Sequence, residues 1–259
     1  MSKTVERKAP EIAELDFSDL GVALKAGLKD FFKAPIYGLV FGGIFAVLGM
    51  AILAQTFIWK SDWSIVPFAA GFPLVGPFVA VGMYEISRIL GRGEKVSWGA
   101  LLSAIYEERK RQIPSIAFVV LFIFLIWVYM AHLVFALSFG LKPLTNVMSS
   151  LDLFYTQEGI TMLILGSLVG GFLAFVLFSV TVVGIPLLVD REVDVVTAMV
   201  TSFSLVLNNI IVMIGWGLIV AITLFVAMLP AFLGLFIALP ILGHATWHLY
   251  KLAILPEED

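Results

Sequence analysis

Imidazole is the first chemistry to look for in an apolar chain, because paired histidines hold haem iron inside helical bundles. The 259 residues contain no cysteine and three histidines, His132, His244 and His248. A helix running from Pro114 carries His132 about 27 Å along its axis at 1.5 Å per residue, to the far end of its span. His248 stands just before Lys251 at the near end, and His244 lies one turn deeper. Imidazoles at opposite ends cannot be the two axial ligands of one iron. His244 and His248 share a helix face and could grip a metal, but no thiol or acidic partner accompanies them. The expectation is no metal and no cofactor, with the imidazoles bonded to backbone or water.

Charge and amide groups deep in an apolar run would mark a path for a polar cargo. Glu85 and Arg88 come nearest, close enough to one end to pair or to snorkel. Asn208 and Asn209 are the most conspicuous amides, suited to interhelical hydrogen bonding. The stretch "AAGFPLVGPFVAVG" sets Pro73, Gly76 and Pro77 inside an apolar run, either as a bend for packing or as an opening around a cargo. Together Pro73, Gly76, Pro77, Glu85, Asn208, Asn209 and His244 form the candidate substrate path. No catalytic set is legible. "GIFAVLG" lacks the lysine and hydroxyl of a phosphate loop, and no HExxH or serine elbow occurs.

The elements that must position these residues are membrane helices. Apolar residues make up 61% of the chain, charged residues 14%, and the mean hydropathy is +1.04, which no ordinary soluble domain shows. Runs of about 20 residues cross a hydrocarbon core as helix, and six occur, at 36–58, 65–89, 115–139, 160–189, 210–229 and 230–249. They are continuously apolar, unlike the alternating strands of a membrane barrel. Of the 16 lysines and arginines, all but Lys60 and Lys142 fall on one side of the resulting six-span topology. That asymmetry predicts cytoplasmic termini. Residues 1–17 read as a flexible tail and 251–259 as an acidic one, flanking one domain over 18–250.

That domain divides into three units, 18–96, 97–193 and 194–250. "DLGVALKAGLKDFF", "SWGALLSAIYEERK" and "DVVTAMVTSFSLVL" precede spans 1, 3 and 5, each opening on an N-capping residue, Asp19, Ser97 or Asp194. In the first, Leu20, Leu24, Leu28 and Phe31 form an apolar side for the lipid, with Lys25, Lys29 and Lys33 turned toward anionic headgroups. Pro35 and Pro114 mark the turn into the membrane. The third copy lacks a basic face and reads straight on as one longer helix. "GFPLV", "GIPLL" and "ALPIL" recur late in the units, which favours a construction element over a single site. Small residues four apart, Gly38 with Gly42 and Gly166 with Gly170, predict close helix contacts. Residues 144–154 have the spacing of a short amphipathic helix on the outer surface.

The block from "DLGVALKAGLKDFFKAPIYG" through "GFPLVGPFVAVGMYEISR" resembles the bacterial integral membrane family catalogued as domain of unknown function 2189, most clearly over 19–98. The resemblance implies a multi-helix inner-membrane protein and carries no catalytic residues. Some relatives bear a cytochrome oxidase label, and the histidine placement leaves room only for an accessory role beside such a respiratory complex. The resulting expectation is a non-enzymatic, multi-pass inner-membrane protein in the lipid bilayer that assists or assembles a larger membrane complex and binds no nucleic acid. The competing expectation is a small transporter or channel around the proline-bent helices.

Overall fold

The computed structural model describes residues 10–55, 65–140 and 154–256, and of 65–74 the backbone alone. Most of the expected outer helix over 144–154 lies outside the described residues, as do Trp59, Lys60, Trp63 and Lys142. The described residues form ten helices: α1 Phe17–Lys33, α2 Pro35–Ala54, α3 Ile65–Gly91, α4 Trp98–Glu108, α5 Ile113–Phe139, α6 Gln157–Thr181, α7 Gly184–Asp190, α8 Val195–Asn208, α9 Ile210–Met228 and α10 Leu235–Ala253. Four stretches are long and apolar enough to cross a membrane: Pro35–Ala54, Ile113–Phe139, Gln157–Asp190 and Ile210–Met228. Helices also form at the two other expected spans, α3 and α10. The second half of α10 carries His244, Thr246, His248 and Lys251, and it is less apolar than the four.

Residues up to 117 pack with those from 179 onward as one unit, and 118–178 form a second. In the first unit the short helices α1, α4 and α8 each end at a backbone break before a longer helix. Pro35 opens α2 and Pro114 sits in the first turn of α5, where a missing N–H costs nothing. The third break was not expected. Asn209 (φ −118°, ψ 35°) interrupts the helix between α8 and α9 in nearly the conformation that Ala34 (φ −137°, ψ 50°) takes before α2. The amide of Asn209 makes this possible, since its side chain reaches backbone groups that a helix alone would leave free.

Ser97 and Asp194 cap α4 and α8 as their types foretell. In α1 the cap is Asp16, and Asp19 is its reciprocal partner: the Asp16 N–H donates to Asp19 Oδ2 at 2.8 Å, closing a capping box. The helix therefore starts one turn earlier than its first expected cap.

The apolar stripe of α1 also has a different neighbour from the one its pattern suggests. Of the expected apolar side, Leu20 and Phe31 are buried together with Ala23 and Gly27, and α1 makes its most extensive helix contact with α10, while Leu24 is half-buried and Leu28 stays exposed. A Cβ on Gly27 would fall 2.5 Å from the backbone N of Ala245, so only glycine permits this approach. On α2, Gly38 and Gly42 face the Pro240 ring, and a Cβ on Gly42 would lie 2.7 Å from the Leu235 carbonyl. This is the close contact that their spacing predicts. Phe41 covers Gly82 and Met83 covers Gly243, filling the space between α2, α3 and α10.

The last described residues and the first meet. Ile12 bridges Ile254 in antiparallel fashion, the Ala13 N–H donates to the Ala253 carbonyl (2.9 Å), and the Leu255 N–H donates to that of Glu11 (3.0 Å). Residues 11–15, read from sequence as part of a loose tail, thus form a tied segment.

Candidate functional site

Three helices, α1, α3 and α10, bring polar groups together in the first unit. Asp30 occupies the buried stripe of α1, one turn past Gly27, so the close approach of α1 to α10 carries it toward His248. Their separation is 2.7 Å from Oδ2 to Nε2. One turn earlier on α10, His244 Nδ1 lies 2.9 Å from Ser87 Oγ on α3, and Ser87 in turn bonds the Asp30 carboxylate. An ionised carboxylate can only accept. The Ser87 hydroxyl therefore donates to Asp30, the Nδ1–H of His244 donates to Ser87 Oγ, and the Nε2–H of His248 donates to Asp30 Oδ2. A chain of hydrogen bonds runs His248, Asp30, Ser87, His244 through α10, α1, α3 and back to α10.

Burial raises the energy of the Asp30 carboxylate, but the bond and charge of His248, with the Ser87 bond, more than offset it. Its pKa is held below the ordinary 3.8. In the tautomer just described, His244 Nε2 keeps a bare lone pair. That atom is buried and has no hydrogen-bond partner among the described residues.

A serine beside an imidazole has the ingredients of a nucleophile and its base. Here Ser87 is 1% exposed and His244 0%, so a substrate has no approach to Oγ in this conformation. The arrangement joins helices. Among the described residues no group of three or more His, Asp or Glu could hold a metal.

A second polar group flanks the first. Glu85 pairs with Arg88 on α3 (2.7 Å), without the alignment of a hydrogen bond. Glu108 at the end of α4 pairs with Arg111, and the charges of Arg88 and Glu85 also reach it. Burial, with the like charge of Glu85 added to it, outweighs the attractions of Arg111 and Arg88 and raises the Glu108 pKa above the ordinary 4.5. Arg111 also donates to the Arg191 carbonyl beyond α7 (3.3 Å). Tyr250 and Lys251 both donate to Asp190 of α7, at 2.6 and 3.1 Å. Polar bonds thus attach α7 and α4 to the same end of the bundle.

The residues of the expected substrate path have separate surroundings. Glu85 and His244 both reach this end of α3, Glu85 with Arg88 and His244 with Ser87. Asn209 accepts from the Leu15 N–H (2.7 Å) and donates to the carbonyls of Ala13 (3.1 Å) and Leu205 (3.2 Å), fastening the N-terminal segment. Asn208 is exposed. α3 continues as helix through Pro73, Gly76 and Pro77; Pro77 is buried, and a Cβ on Gly76 would touch nothing within 4 Å. The Pro73 side chain is outside the described residues. His132 Nδ1–H donates to the Val128 carbonyl (2.7 Å), the backbone bond expected of it.

Sequence reasoning missed Asp30, Ser87 and the role of His248. A signal existed for Asp30: it continues the Leu20, Ala23, Gly27 stripe at helical spacing, where an acid requires a partner.

In the second unit, α5 and α6 flank an open cleft of about 310 Å³ lined by Trp127, Met130, Val134, Met162, Gly166 and Ser167 among others. A methyl added at Gly166 would meet nothing within 4 Å, and one at Gly170 only the Trp127 indole nitrogen at 3.4 Å. Their spacing therefore marks an open groove rather than a tight crossing.

The family model described as "Predicted integral membrane protein (DUF2189)" matches residues 65–190, from the start of α3 to the end of α7. The match includes the "GFPLVGP…YEISR" block and begins after the amphipathic segment of α1. No curated protein and no solved structure matches the chain. The family match and the four apolar helices make this a multi-pass integral membrane protein.

Proposed function

We propose that this chain, whose residues 65–190 carry an integral membrane family, is a non-enzymatic accessory or assembly partner of a larger membrane complex, which α5 helps to bind. One observation carries the reading. Only 6% of the apolar window of α5 is buried, and Phe118, Phe122, Leu125 and Tyr129 are all exposed along it. A helix apolar all round is written for burial in protein or lipid on every side. The packed interior between α2, α3 and α10 supports this reading over a transporter, which needs a polar, wettable path near Pro77.

A photo-crosslinking side chain placed at Phe122, Leu125 or Tyr129 in the native membrane tests it. A discrete protein adduct at these positions, absent at the exposed Phe225 of α9, is expected. Adducts with lipid alone at all three would overturn the proposal.

The topology belongs to the same reading: six crossings of a bacterial inner membrane, in three units of surface helix and hairpin, with both termini cytoplasmic. Support comes from the breaks after α1, α4 and α8, from the matching backbone at Ala34 and Asn209, and from the tie between Ile12 and Ile254. Segments that touch, 11–13 and 253–255, must lie on one side, which requires an even number of crossings between them.

A further inference from the structure

The contact between α1 and α10 changes which face of α1 is free. Leu20, Ala23, Gly27, Asp30 and Phe31 are buried. The opposite face exposes Lys25, Lys29 and Lys33 in a single row, one turn apart. Between them stand Leu28 and Phe32, both exposed, Phe32 at 69%, and just past the break Ile36 in the first turn of α2 is exposed as well. None of the three lysines has an ion-pair partner among the described residues. The one carboxylate near them in sequence, Asp30, is turned to the other face and engaged by His248. The row therefore keeps its full positive charge.

Its place is fixed as well. α2 is long and apolar enough to cross the membrane and begins at Pro35, directly after Lys33, so the last turn of α1 is held at the membrane surface. The other two short helices differ. α8 exposes Val196, Val200, Phe203 and Leu207 without a basic residue, and on α4 Arg109 is stacked on Tyr106, 3.5 Å from the ring centre.

We propose that the free face of α1 is a binding surface for anionic phospholipid headgroups, with Lys25, Lys29 and Lys33 meeting their phosphates and Leu28 and Phe32, followed by Ile36 at the start of α2, entering the acyl boundary. Long lysine side chains lie along apolar surface and deliver their charge to the headgroup level, and interleaved apolar residues distinguish a lipid from a free anion. The proposal rests on α2 as a membrane span and is independent of any partner for α5.

The test uses the intact protein in a neutral detergent, titrated with phosphatidylglycerol or phosphatidylcholine and read by native mass spectrometry. Phosphatidylglycerol should be retained preferentially, and less so as salt rises. Each Lys→Gln change should weaken it roughly fivefold, and K25Q/K29Q/K33Q on the order of 100-fold. Phe32→Ser should also weaken it several-fold, with the lysines intact. Because these side chains are exposed, unchanged thermal midpoints verify folding, and Lys95→Gln on the α3–α4 loop should leave binding as it is. Equal binding of the two lipids, or undiminished binding to the triple variant, would overturn the proposal. So would displacement of the lipid by equimolar inorganic phosphate with no effect of Phe32→Ser, because the site would then be one for free anions.

Discussion

Gly27 and Gly21 sit on one helix with opposite demands. A methyl at Gly27 has backbone atoms of Ala245 in its way, whereas one at Gly21 meets nothing within 4 Å. Gly27→Ala should lower stability by about 1–3 kcal/mol through overpacking. Gly21→Ala should raise it by roughly 0.5–1 kcal/mol by restricting the unfolded chain. Thermal unfolding in detergent compares them directly.

Two of the buried carboxylates, Asp30 and Glu108, set opposite limbs of the pH profile. Asp30 has its pKa lowered in the fold, so its contribution is complete above the ordinary 3.8 and is lost as pH falls through the lowered value. Glu108 has its pKa raised, so stability is greatest below the ordinary 4.5 and declines as pH rises through the raised value. Asp30→Asn should flatten the acid limb and Glu108→Gln the limb above about pH 4.5, as followed by denaturation at a series of pH values. Equal profiles in wild type and both variants would refute this assignment.

Two helix breaks in this protein are finished by side chains from elsewhere in the chain. At the break between α6 and α7, the Ser202 hydroxyl accepts from the Val183 N–H (3.1 Å) and donates to the Ser179 carbonyl (2.7 Å), standing between two groups that a straight helix would pair. Ser202→Ala leaves both buried groups unpaired and should cost about 1–3 kcal/mol. Asn209→Ala should release the N-terminal segment while α8 and α9 persist. Faster amide exchange at Ala13 and Leu15 alone is the expected signature.

These two sites show what the sequence could and could not disclose. Pro35 and Pro114 announce their breaks because proline lacks the donor a helix needs. The break at Asn209 depends on residues almost 200 positions away, Ala13 and Leu15, and no local pattern contains them. The lysine row of α1 was visible, but its apolar stripe fits lipid and α10 equally well by periodicity. Only the third dimension decides between them.

Cysteine is absent from the chain, so any single cysteine introduced is a unique address for mapping sidedness. With a membrane-impermeant maleimide on intact cells, Tyr155→Cys should label and Glu94→Cys should not. Labelling of both, or of Glu94→Cys alone, would contradict the six-span arrangement. Membrane residence was legible at this level from composition alone, because about 20 apolar residues admit few alternatives. The hydrogen-bonded chain from His248 to His244 was not, because its members come from three helices far apart in sequence. Each residue looks ordinary in its own segment.

The bond between Asp30 and His248 spans 218 positions, joining the first helix to the last. At 5–20 residues per second, a ribosome needs roughly 10–45 s between making one and the other. Throughout that interval the Asp30 carboxylate lacks His248, and the face of the newborn α1 lacks α10, its most extensive neighbour. A chain arrested after Leu229 would keep nine helices yet leave that face bare, a ready mark for membrane proteases. α10 therefore acts as the closing stitch, and damage to the codons of α10 should be felt first at α1.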